Sequence, residues 1–144
     1  MSTTLTPYLA FNGNTREVFR FYEQALGATI QTMMSFADMP KMPAPADGCE
    51  GGMPSGDAIM HACLVLPGGA MLMAGDAPPA RPYDGIKGAM LALQYDTVDQ
   101  AQSAFHALSQ GGNVTMPKVL AQNAGPSGIV TWPPCERAWN AVCA

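Results

Sequence analysis

The sequence predicts an α+β fold made of two similar units, on three observations. A short strand near residue 8 leads into an amphipathic helix. The same plan returns about 82 residues later. Strand-like runs follow both helices, so two βαβββ units account for most of the chain. A unit that cannot bury its own sheet face needs a neighbour. The 144 residues therefore read as one domain, 1–144, with unit 1 over about 5–76 and unit 2 over about 88–144.

In unit 1, Tyr8-Leu9-Ala10-Phe11 is a strand closed by the Asn12-Gly13 turn. Asn14, with Glu17 three residues on, is spaced like a capping box. Val18, Phe21, Tyr22, Ala25 and Leu26 recur at helical spacing, and Gly27 stands where a left-handed helix terminus is wanted. Thr29 to Phe36 returns to strand character, with Ile30, Met34 and Phe36 expected on one side. Ile59 to Leu66 and Ala70 to Ala74 complete the unit. In unit 2, Met90 to Tyr95 is the first strand and Asp96 the expected cap. Val98, Ala101, Phe105 and Leu108 form the helical stripe, ended by Gly111-Gly112. Asn113 to Met116, Ile129 to Trp132 and Trp139 to Cys143 are the remaining strands. Two long connections interrupt the pattern. Asp38 to Gly56, with four prolines and four glycines, is the better candidate for a functional lid; Asp76 to Gly88 is the other.

Composition narrows the partners. Charged residues are 12% of the chain, about half the usual share, which predicts surface covered by a second copy, a homodimer. A net charge of −4 offers no basic footprint for nucleic acid or an anionic membrane. No apolar run approaches a membrane span. Met1 to Pro7 has neither the basic region nor the apolar stretch of a signal peptide, so a cytoplasmic protein is expected. Cys49, Cys63, Cys135 and Cys143 lack metal-binding spacing and are expected as free thiols, Cys63 and Cys143 as core filling. Gly51-Gly52 and Gly68-Gly69 are bare turns rather than phosphate loops, and Ser127 has no nucleophile-elbow context.

Several strings carry a resemblance. They include Thr6-Pro7-Tyr8-Leu9-Ala10-Phe11-Asn12-Gly13-Asn14, Phe21-Tyr22-Glu23-Gln24-Ala25-Leu26-Gly27, Ile59-Met60-His61-Ala62-Cys63-Leu64 and Gly111-Gly112-Asn113-Val114-Thr115-Met116-Pro117. In this order they resemble the PhnB-like branch of the vicinal oxygen chelate (glyoxalase/bleomycin resistance/dioxygenase) superfamily. The resemblance implies paired βαβββ units whose curved mixed sheets surround a pocket, often in a dimer. It covers metal-dependent isomerases, lyases and dioxygenases as well as metal-free binding proteins, and fold alone does not choose among them. In metal-using relatives, His and Glu donors come from the first and last strands of each unit. The matching positions here fall near Pro7 or Tyr8, Met73, Met90 and Asn140, none of which is an imidazole or carboxylate. The usual metal site is therefore expected to be absent, and no cofactor is expected. From Lys118 to Arg137 the chain leaves the family pattern, with Pro133-Pro134 where a tight hairpin should begin. An irregular loop over Trp132 to Arg137, before a last strand that still pairs, is expected there.

His61 is the chemically interesting side chain left in a strand, expected on one face with Ile59, Cys63 and Val65. It is either a half-buried histidine bonded to backbone or to Tyr8, or a pocket acid/base and ligand anchor. His106, off the helical stripe, reads as solvated; Asp38, Asp76 and Asp84 read as turn and cap residues. The leading function is a metal-independent binding protein for a small hydrophobic or aromatic molecule, with Tyr8, Phe11, His61, Met71, Met73 and Met90 as pocket wall. The alternative is a metal-dependent lyase, isomerase or dioxygenase with a non-standard site around His61. A third reading is an interaction protein whose purpose is its dimer. A methyltransferase is rejected, because no glycine-rich turn with a following acidic residue is placed to hold a nucleotide-like methyl donor.

Overall fold

The structure, a computed structural model, describes residues 3–38, 56–78, 83–110 and 128–132. Its elements run β1 (Tyr8–Phe11), α1 (Thr15–Leu26), β2 (Thr29–Ser35), a 3-10 turn (Phe36–Asp38), β3 (Ile59–Val65), β4 (Met71–Asp76), β5 (Leu91–Tyr95), α2 (Val98–Ser109) and β6 (Gly128–Trp132). This is the expected α+β class, with a curved, unclosed mixed sheet. The strand order β1-β4-β3-β2 has β1 parallel to β4 and the other two pairings antiparallel. A second sheet pairs β5 with β6 antiparallel. In the first sheet the opening strand, β1, pairs in parallel with β4. The first long connection lies almost wholly outside the described residues, and the second does so at 79–82. So do the expected strands at 113–116 and 139–143, the loop after Trp132, and Cys49, Cys135 and Cys143.

Strand alternation explains the layering. Leu9, Phe11, Ala62, Leu64, Leu72 and Ala74 face the helices and join one core with Val18, Phe19, Tyr22 and Leu26 of α1 and Ala101, Ala104 and Leu108 of α2. Each large apolar side chain fully buried there contributes about 1.5–3 kcal/mol. Phe19 is fully buried while Phe21 only packs against the edge of the core, so the α1 stripe is rotated from the expected one.

Two bulges correct the expected faces. Register jumps between Ile30/Thr32 and again between Met34/Ser35, leaving Gln31 on β2 and Met60 on β3 as extra residues. The first bulge keeps Ile30 with the core but turns Thr32 and Met34 to the opposite face; Met33 takes the core side. Phe36 has left the strand for the 3-10 turn. The second bulge moves Ile59 into the core, away from His61.

The caps also differ from expectation. Asn14 holds the N-cap position of α1 but its side chain makes no cap hydrogen bond. Asp76, from the end of β4, does that work: its Oδ1 accepts from the Thr15 amide at 3.0 Å and the Thr15 hydroxyl at 2.5 Å. Its Oδ2 accepts from the Ile59 amide at 2.6 Å, so one carboxylate joins α1, β3 and β4. On α2 the cap is Thr97, not Asp96: Thr97 is extended and its hydroxyl accepts from Gln100 N–H at 3.3 Å. Gly27 ends α1 at φ 62°, a left-handed conformation that needs no Cβ.

Candidate functional site: the open face of the four-stranded sheet

The face of the sheet turned away from α1 is a grid set by register. One row runs Tyr8, Met73, Cys63, Thr32; in the next, Ala10 lies opposite Gly75 and His61 opposite Met34. Tyr8 is 57% exposed, Met34 and Met71 are exposed, and Met73 and His61 are half-buried. Exposed apolar side chains gathered on one sheet face, rather than scattered, mark a surface that something covers.

Tyr8 and His61 stack, with ring centroids 5.9 Å apart and planes at 26°. The Tyr8 hydroxyl donates to the Met60 carbonyl at 3.2 Å, which holds the phenol across β4. Gly75 makes this possible. A Cβ there would stand 2.6 Å from the Met60 oxygen and 2.9 Å from the Tyr8 hydroxyl. Partial burial raises the Tyr8 phenol above its ordinary value. His61 is thus held by stacking, not by the hydrogen bond to backbone or Tyr8 that one reading of the sequence expects. Its ring nitrogens have no partner among the described residues. A free imidazole can both donate and accept toward a molecule seated on this face.

The other expected wall residues separate. Met73 and Tyr8 are directly opposite in register, and Met71 stands two residues along β4 from Met73. Phe11 is in the core with 0% exposure, on the helix side of the sheet, because it shares parity with Leu9 and not with Tyr8. Met90 stands 72% exposed just ahead of β5, a strand of the second sheet. Cys63 is buried and unpaired with another cysteine, but on the open face, where its thiol donates to Gln31 Oε1 at 3.7 Å. Met34 and Gly75 join the site although neither was chosen from the sequence. A glycine inside a strand signals close backbone approach, and that signal was present at Gly75. His106 is exposed.

Among the described residues, no three His, Cys, Asp or Glu side chains converge as a metal would need. The thioethers and phenol at Met73, Met90 and Tyr8 do not fit the His/Glu set of the metal-using relatives.

The matching family model is that of the Glyoxalase/Bleomycin resistance protein/Dioxygenase superfamily, over residues 4–122. The chain belongs to this superfamily. Among curated relatives, Protein YjdN of Escherichia coli (strain K12) is 32% identical over 115 residues, 78% of this chain and 76% of YjdN. Among solved structures, protein PA1353 from Pseudomonas aeruginosa is 46% identical with a TM-score of 0.66, covering 81% of this chain and 79% of that one. The PhnB protein from Bacillus cereus matches at 22% identity and a TM-score of 0.55, with 80% of each chain covered, which supports the glyoxalase-like fold.

Proposed function

We propose that this superfamily member is a PhnB-like binding protein for a small hydrophobic or aromatic molecule, seated on the open sheet face without the usual metal ion. The observation that carries this reading is the Tyr8–His61 stack, bordered by Met34 and Met73, with both imidazole nitrogens unpartnered among the described residues. An aromatic ring can lie on that surface and use His61 as its single polar anchor. The chain works as one domain of two units, about 5–76 and 88–144, as a homodimer in the cytoplasm. No helix among the described residues is long and apolar enough to cross a membrane.

The same free imidazole favours a second reading, a metal-dependent lyase, isomerase or dioxygenase with a non-standard site around His61. Two measurements separate them. Screening a set of aromatic fragments by melting temperature is expected to give stabilisation that is lost in Tyr8→Ala and His61→Ala. Metal analysis of purified protein is expected to give less than about 0.2 equivalents of zinc, nickel, manganese or iron. Stoichiometric metal that disappears in His61→Ala establishes the enzyme reading instead.

A further inference from the structure

The open sheet face also carries a set of soft donors, and strand register fixes their spacing. Met34 of β2 lies directly opposite His61 of β3. Cys63, two residues further along β3, lies directly opposite Met73 of β4. Directly opposed side chains start about 4.5–5.5 Å apart at Cβ, and diagonal ones about 7–8 Å apart, which long side chains still span. His61 therefore has one thioether across from it and a second on the diagonal. Methionine has three rotatable bonds and a polarisable sulfur, so both can turn toward the imidazole.

The harder donors nearby are engaged or missing. The Tyr8 hydroxyl is committed to the Met60 carbonyl, and the buried Cys63 thiol is turned to Gln31. Neither row of the grid holds a carboxylate. Among the described residues, no three His, Cys, Asp or Glu side chains converge, so the donors a harder ion prefers are not there. What remains is an imidazole with both nitrogens unpartnered among the described residues, its ring held by Tyr8, between two thioethers. Thioether donors without carboxylates are wrong for magnesium or manganese and poor for zinc; they select copper(I). We propose that His61, Met34 and Met73 form a copper(I) site on the open face. The proposal goes beyond the aromatic reading: it uses the same imidazole, adds the methionine sulfurs as ligands, and attaches no reaction to the ion.

The test titrates methionine methyl-labelled protein with silver(I), the redox-inert stand-in for copper(I). The Met34 and Met73 methyl signals and the His61 ring are expected to shift and saturate together, while Met33 on the core side stays in place. Reading these signals separates the site from thiols elsewhere in the chain. Zinc(II) at the same concentrations is expected to shift none of them. A Met34→Leu/Met73→Leu double variant, which keeps side-chain bulk, is expected to lower the affinity read at His61 by about tenfold or more. Met34 and Met73 methyls unmoved by silver(I), equal shifts with zinc(II), or an undiminished affinity in the double variant overturns the proposal. So does binding that is lost in Cys63→Ser and kept in the double variant, which marks a lone thiol. Aromatic fragments that bind while silver(I) moves neither methyl defeat the metal site and leave the aromatic reading standing. Silver(I) bound where no fragment binds does the reverse.

Discussion

Gly75 sets how closely Tyr8 can lie over the sheet. Any Cβ at this position meets the Met60 carbonyl, which is backbone and cannot step aside cheaply, and the Tyr8 hydroxyl. Gly75→Ala is therefore expected to cost about 1–3 kcal/mol in a denaturant melt and to abolish the fragment binding that depends on the Tyr8–His61 stack. A variant that melts and binds like the parent shows that the phenol has no fixed place there. Tyr8 also has a pH signature. Its proton is held more tightly in the fold than in the unfolded chain, because burial disfavours the phenolate. Its contribution is complete below the unfolded value of about 10 and is lost as pH rises through the higher folded value. Ultraviolet titration is expected to show tyrosine ionisation delayed past pH ~10, part of which vanishes in Tyr8→Phe. Tyr95, also raised by burial, contributes to the part that remains.

Asp76 acts between elements. One carboxylate takes three donors, from the first turn of α1 and the first residue of β3. Asp76→Ala leaves two amides and a hydroxyl without that acceptor and is expected to cost about 2–4 kcal/mol by chemical denaturation, much more than an exposed aspartate such as Asp57. Equal costs at the two positions contradict the staple. This element also shows what a sequence can and cannot reveal. The α1 stripe, Gly27 and the strands around Tyr8, His61 and Met73 follow from local periodicity, and the structure has them. The cap from Asp76 lies 61 residues from Thr15, so no local spacing announces it. Period-2 reasoning placed Ile30 with Met34 and Ile59 with His61; single bulge residues at Gln31 and Met60 reversed both. Phe11 was misplaced for a related reason. An aromatic in a strand looks the same whether it faces core or pocket until the neighbouring faces are known.

At the scale of the whole molecule, a low share of charge and an open sheet face with Tyr8, Met34 and Met71 exposed favour a second copy as cover for part of the surface. Light scattering at micromolar concentration is expected to give about twice the 15.1 kDa chain mass. A monomer mass excludes the dimer. The most direct test of the open-face site uses the methionines as reporters, since methyl labelling of all eleven gives each its own signal. Met34 and Met73 stand on the open face, whereas Met33, next to Met34 in β2, packs on the core side. Titration with an aromatic fragment that raises the melting temperature is expected to shift the Met34 and Met73 methyl signals together with the His61 ring, leaving Met33 in place. Shifts confined to Met33 or Met90, or none at Met34 and Met73, contradict a binding site on this face.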